Sequence, residues 1–302
     1  MKHIRRIILL LFLLLTAGIL FALVSHGPRT TEKPAAEDPS FTILPYNPHR
    51  MGLFRKPDYN RVIHYIRRTN ADIVCLQEVE VYKDSKYLTL PELRDAMRRY
   101  PYTYYDFKVH NKRRQFGNVV FSRYPLTNKQ TVRYSSRSNI SSRCDVVIGH
   151  DTLRLIVNHL ESNRFTRSDF HLPDSLSGEN LKASAQRISE KLESARAIRH
   201  GQARAVHEEI EESPYPVIVV GDFNSTPLSY AYWRIRAGLR DAFLESPWGH
   251  LGNTYVRHHL GIRIDYILCS RSIRTSHFRL DKVDYSDHYP ISATLTLTPD
   301  NP

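Results

Sequence analysis

Cysteine is scarce in this chain of 302 residues: Cys75, Cys144 and Cys269 are the whole complement, far apart and odd in number. That excludes a disulfide framework and a zinc site of closely spaced cysteine pairs. Two of the three lie in apolar runs, IVCL and YILC, where a free thiol packs as a small hydrophobe. Internal repeats are also absent. No cysteine directly follows the N-terminal apolar run, so a lipoprotein anchor has no thiol to acylate. Acidic residues are outnumbered, 31 against 43 lysines and arginines, for a formal charge of +12. Such a balance suits a polyanion, either nucleic acid or an anionic lipid surface; solubility and membrane-flanking charge account for it as well.

What is present begins with Lys2, Arg5 and Arg6, followed by an uncharged run of 18 residues, Ile7 to Val24. About 20 apolar residues cross a bilayer, and a basic flank stays on the cytoplasmic side. No small-x-small cleavage site stands out between Ala22 and Gly27. Residues 1–26 are therefore expected to form a retained signal anchor that leaves the rest extracytoplasmic; cleavage would instead give a secreted protein. Without the three basic residues of that segment, 40 bases face 31 acids, so the remainder keeps a charge of +9. Residues 27–40, rich in proline and small or charged residues, cannot pack and read as a linker. A folded domain is expected over 41–298, with a tail at 299–302.

Strand-like and helix-like stretches interleave in that domain. FTILPYN, ADIVCLQE, GNVVFSRYP, CDVVIGH, LRLIVNHLE, VIVVGDFN, RIDYILC and ISATLTL read as strands. DIVCL, LRLIV and PVIVV are apolar throughout, as befits strands covered on both faces. A helix is expected over Asp58 to Thr69. Leu181 to Glu212 reads as one kinked helix or two in succession, with Gly201 as its interruption. Asn163 to Asn180 is an irregular polar insertion.

Several strands end directly in polar residues, the position from which a rigid sheet presents groups to a cleft. In VIVVGDFNST, Gly221 permits a sharp turn before Asp222 and Asn224. A carboxylate beside an amide can deprotonate a water and hold a phosphoryl oxygen; a helix-capping turn is the plainer reading. Glu78 follows an apolar strand and is a candidate hard-metal ligand, or an exposed strand-end acid. His159 follows another such strand, and a lone histidine among 15 is ordinarily structural. Asp265 lies between apolar residues at a strand start, where an unpaired carboxylate is expensive. His288, next to Asp287, is a fitting partner: Asp265 can fix its tautomer and favour an imidazolium that stabilises transition-state charge. The basic segment NKRRQ at 111–115 offers Arg113 and Arg114 to phosphates without reading sequence; a solvated hairpin tip is the alternative.

Taken in order, LQE, GNVVFSR-P, NHLES, GDFNSTP, RIDYIL and SDHYPI resemble the motifs of the endonuclease/exonuclease/phosphatase superfamily. Its members include DNase I-like nucleases, exonuclease III-like enzymes, neutral sphingomyelinases and inositol-polyphosphate 5-phosphatases. The resemblance spans Phe41 to Leu297. It implies an α/β fold, a DNase I-like four-layer α/β/β/α sandwich of two packed mixed sheets. Asn47, Glu78 and Asp287 are then placed near Mg2+, for which Mn2+ could substitute. Asp222 activates water, Asn224 and His159 contact phosphate, Asp265 pairs with His288, and Asn118 of GNVVFSR joins substrate binding. One departure is Pro45 in ILPYNPHR, where the family pattern has no proline; it would remove a ladder hydrogen bond from a central strand. A turn-forming Asn before Pro48 is the alternative for Asn47.

The expected activity is hydrolysis of a phosphodiester or phosphomonoester. Substrate is nucleic acid, favoured by the charge, or a phospholipid headgroup, favoured by the anchor, with Trp248 as a minor membrane-contact candidate. A non-catalytic surface binding module of the same fold is the competing class. Nothing in the sequence points to an obligate protein partner.

Overall fold

The computed structural model describes residues 39–52, 55–165, 178–246, 252–257 and 260–298. The expected anchor (1–26), the linker up to Glu37 and Asp38, the middle of the polar insertion, Trp248 and the tail lie outside the described residues. Among the described residues no helix is long and apolar enough to cross a membrane.

Fourteen strands are described: β1 (Ser40–Tyr46), β2 (Ile73–Tyr82), β3 (Tyr102–His110), β4 (Arg114–Ser122), β5 (Leu126–Thr131), β6 (Ile140–Ile148), β7 (Asp151–His159), β8 (Val217–Asp222), β9 (Arg240–Asp241), β10 (Tyr255–Arg257), β11 (Leu260–Ile262), β12 (Asp265–Cys269), β13 (Ile273–Leu280) and β14 (Ile291–Leu297). Two six-stranded sheets result, ordered β13-β14-β1-β2-β4-β3 and β5-β6-β7-β8-β12-β9, with β10-β11 a separate hairpin. Each large sheet is mixed, having one parallel pair, β1 with β2 and β7 with β8, among antiparallel neighbours.

Between the sheets lies one core, including Ile43, Cys75, Val120, Cys144, Val157, Val220 and Ile267. A second lies outside the first sheet, under helices α1 (Arg61–Thr69) and α2 (Leu90–Ala96). The third lies outside the other sheet, under α3 (Gly178–Glu211) and α4 (Tyr230–Arg236). Burial on both faces explains the unbroken apolar runs of β2, β7 and β8, each such side chain contributing about 1.5–3 kcal/mol. All three cysteines are free and buried.

Local sequence sets the helix ends. Asn60 caps α1 by accepting from the amides of Val62 and Ile63, which turns Pro57–Tyr59 into a separate 3-10 turn instead of the first turn of the expected helix. Thr89 and Glu92 form a reciprocal capping box on α2. α3 runs through Gly201 without a break. Pro45 keeps its place in central β1: it is in register with Cys75 of β2, while the ladder to β14 extends from Ser40 only to Ile43. The missing amide therefore falls beyond the antiparallel pairing, where its absence removes nothing.

Gly221, at φ 111°, is required where β8 ends. A Cβ there would stand 2.3 Å from the Asn158 carbonyl oxygen and 3.1 Å from Gln77 Nε2. Gly221→Ala should destabilise the protein by about 2 kcal/mol or more, from overpacking and from the positive φ together. A urea unfolding midpoint equal to that of the unsubstituted protein would contradict this account of the turn.

Candidate active site

Topology brings the polar strand ends together. β1, β2, β7 and β8 run the same way within their parallel pairs and deliver Asn47, Glu78, His159 and Asp222 to one edge of the sandwich. β12 and β14 run antiparallel to β8 and β1, so their beginnings, Asp265 and the turn with Asp287 and His288, reach the same edge. Register fixes the neighbours: Asp222 lies opposite His159 on β7 and opposite Asp265 on β12.

Glu78 owes its position to a β-bulge. Leu76 pairs with Val119 and Val79 with Gly117, so Gln77 and Glu78 together oppose the single residue Asn118. The extra residue puts Glu78 at φ 50°, a left-handed conformation that side chains adopt at a cost and that recurs at functional sites. Its Oε1 is 3.3 Å from His159 Nε2. Burial pushes the Glu78 carboxyl up, yet the hydrogen bond and charge of His159, with His49 and His288 beyond, bring it down to about 2. Burial likewise depresses His159, and Glu78 more than reverses this, so its pKa is raised. The two form an ion pair across the sheets.

Asp222 is buried and surrounded by donors. Its Oδ2 accepts from Asn47 Nδ2 and Asn224 Nδ2, each at 3.1 Å, and its Oδ1 accepts from the Asn224 amide at 2.7 Å. Desolvation raises it to about 6, against the opposing pull of His288 and with Asp265 adding to the rise. His288 Nε2 lies 3.7 Å from Asp222 Oδ2, and its Nδ1 is 3.0 and 3.2 Å from the two Asp265 oxygens. Burial alone would lower this imidazole; Asp265 first and Asp222 second lift it to about 10. Asp222, Asp265 and His288 are also close enough to hold an ion between them. With both Asp265 oxygens on His288 Nδ1, however, the donors there already satisfy one another.

Asn47 is buried, its Oδ1 accepting from the His49 amide at 3.1 Å. Asn224, at φ 48°, also donates to the Leu160 carbonyl at 3.0 Å. Asp287 faces His49, with Oδ1 3.5 Å from Nδ1. Asn118 is fully buried behind the site: its Nδ2 donates to Ile140 O, Ser142 Oγ and Val157 O. That amide joins the two sheets and fixes the strand opposite the Glu78 bulge. Arg114 is tied to Glu80, two residues past Glu78 on β2, while Arg113 sits exposed in the β3–β4 turn.

Three contributors escape a motif reading. Asn139, just before β6, places Nδ2 3.1 Å from His159 Nε2 and donates to Leu160 O at 2.9 Å; only the β6–β7 pairing brings it there. Thr254 Oγ1 accepts from the amides of Ile264 and Asp265, both at 3.0 Å, and so fixes the start of β12. His49 stands beside Asn47 in NPHR but belongs to no recognised pattern.

A family model described as the endonuclease/exonuclease/phosphatase family matches residues 51–288. No curated protein matches the chain. Among solved structures, an endonuclease/exonuclease/phosphatase from Beutenbergia cavernae superposes with TM-score 0.60 at 18% identity, over 86% of this chain and 72% of that one. The human nocturnin catalytic domain with bound sulfate gives 0.59 at 16%, over 88% and 100%. Sphingomyelinase C from Streptomyces griseocarneus gives 0.54 at 18%, over 85% and 99%. At such identities the likeness is one of fold.

Proposed function

The chain belongs to the endonuclease/exonuclease/phosphatase family, and from that premise we propose that it is a divalent-metal-dependent phosphoester hydrolase of the phosphodiesterase or nuclease type. The observation that carries this reading is the meeting of Asp222, the Asp265–His288 pair and the His159–Glu78 pair at one edge of the sandwich.

Asp222 accepts a proton from the attacking water as the water oxygen bonds to phosphorus and the bond to the leaving oxygen breaks. Asn47 and Asn224 hold the Asp222 carboxylate in place. His288, kept protonated by Asp265, sets positive charge against the phosphoryl oxygens where negative charge grows. His159 and Asn224 flank the same phosphoryl group. Glu78 and Asp287 are hard oxygen donors whose carboxylates both approach His49 Nδ1, and Glu78 is held anionic. This donor set, with the Asn47 side-chain oxygen, fits Mg2+, or Mn2+ in its stead. Bound there, the ion would polarise the phosphoryl group and neutralise the leaving oxygen.

The substrate class on this reading is nucleic acid, met through charge and the basic β3–β4 turn, with the domain held extracytoplasmically by residues 1–26. A phospholipid headgroup is the second reading. It is favoured by Leu228 at 90% exposure, just past the Asp222 turn, with Tyr230 and Trp233 exposed on α4 beyond it. Protein beginning at Gly27, supplied with magnesium or manganese, should hydrolyse bis-p-nitrophenyl phosphate; absence of turnover with either ion would leave only a binding module. A panel of DNA, RNA, sphingomyelin and phosphoinositides then separates the two substrate classes.

A further inference from the structure

Residues His49, Arg50 and Met51 form a single turn with φ of 42°, 60° and 51°. Left-handed backbone costs each L-residue about 1–2 kcal/mol, so three in succession require compensation nearby. The turn overlaps the start of the stretch that matches the family model, with His49 two residues ahead of it, and its outcome is the placement of one side chain. The Asn47 side-chain oxygen takes the His49 amide at 3.1 Å. The His49 ring then points between two carboxylates from different parts of the chain. Its Nδ1 is 3.7 Å from Glu78 Oε2, on the bulge of β2, and 3.5 Å from Asp287 Oδ1, on the turn before β14.

Those separations are long for a charge-assisted N–H to carboxylate hydrogen bond, which falls at about 2.7–2.9 Å. They are close to the spacing of neighbouring donors on one ion: atoms about 2.1 Å from a metal, at right or tetrahedral angles to each other, lie about 3.0–3.4 Å apart. A contraction of a few tenths of an ångström brings Nδ1 to that spacing from each of the two carboxylate oxygens. The ring is about half exposed, with its side chain at 44%, so it turns toward that centre without leaving a packed core.

We infer that His49 is a metal ligand, so that this chain binds its divalent ion through mixed carboxylate and imidazole donors and favours Zn2+, Co2+ or Mn2+ over Mg2+ more strongly than oxygen ligands alone would. The inference rests on the placement of the ion at Glu78 and Asp287 given above. Imidazole nitrogen suits the later transition metals, whereas Mg2+ discriminates in favour of oxygen and keeps much of its water. His49 would thereby set which ion fills the site.

The test is metal binding to the chelator-treated full chain, read without substrate. Zn2+ and Mg2+ affinities come from titration calorimetry, Mn2+ from the free-ion signal in electron paramagnetic resonance, and Co2+ ligation from its visible absorption. His49→Ala should weaken Zn2+ at least tenfold and Mg2+ less than threefold, and should change the cobalt spectrum. His49→Cys, which restores a soft donor, should recover the Zn2+ preference; this outcome separates ligation from a mere packing role. An unchanged ratio of Zn2+ to Mg2+ affinity in His49→Ala overturns the inference. Glu78→Gln is the control for the reading beneath it: if that variant binds every ion as well as the original, the metal placement itself is wrong.

Discussion

Asp222→Asn should remove about two to four orders of magnitude from phosphodiester turnover, the range that a positioned general base supplies, and leave a folded protein. The amide keeps the shape of the carboxylate but has no basic oxygen for the water proton. Its effect on stability is small for a reason visible in the site. Burial has pushed the Asp222 carboxyl up to about 6, so the folded state already disfavours the charge that the substitution removes. Against that gain stands one lost bond, because the new NH2 must face either the Asn224 amide or the Asn47 and Asn224 side-chain donors that Asp222 now accepts. Steady-state kinetics on bis-p-nitrophenyl phosphate, alongside a thermal unfolding scan, decides the matter. A variant within tenfold of the original rate would remove Asp222 from the chemistry.

The second large effect is on pH. Activity needs Asp222 ionised and His288 protonated. kcat/KM should therefore rise through about pH 6 and fall near pH 10, and His288→Ala should lower the plateau by about 100- to 1000-fold and abolish the alkaline limb. Stability of the metal-free protein follows the same groups with definite signs. His288 has its pKa raised from 6.5, so its contribution is whole below about pH 6.5 and is lost as pH climbs to about 10. Asp222, raised from 3.8, withdraws stability as it ionises toward pH 6. Glu78 acts oppositely: lowered from 4.5, it stabilises above that value and loses its contribution as pH falls toward 2. Calorimetric midpoints should thus decline from near neutrality to pH 10, and a flat profile in that interval would dispose of the buried imidazolium.

Much of this centre is legible in the amino-acid sequence. The strands that carry it are buried on both faces, so their apolar runs stop abruptly where the polar residues begin, and Asp222, Asp265 and His288 stand at those stops. Chain order alone does not reveal Asn139 or Thr254, because Asn139 meets His159 only when β6 folds back along the full length of β7, and Thr254 meets Asp265 only when the β10–β11 hairpin closes. Asn118 shows the opposite limit: its motif marks it as a substrate contact, whereas its burial and three inward hydrogen bonds hold the sheets together. Several elements escape a sequence reading for a plainer cause. β5 exposes five of its six residues, and β3 and β13 have only one and two buried positions, which leaves little apolar alternation to detect, and α2 and α4 are only seven residues long.

Three of the close polar links in the centre, Asn47 to Asp222, Glu78 to His159 and His288 to Asp265, cross from one sheet to the other. Asn47, Glu78 and His288 come from the first sheet or its entering turn, while Asp222, His159 and Asp265 come from the second. The apolar layer between the sheets tolerates volume-conserving substitutions with penalties commonly below about 1.5 kcal/mol, repacking by small shifts. Catalytic alignment has no such latitude; about 1 Å of misplacement can remove about 100-fold in rate. The centre therefore works as a vernier on the sandwich, magnifying slips between its halves that the interior absorbs. Substitutions deep in that layer, at Cys144 or Val157, would then appear first as lost turnover in a protein that still melts as one unit.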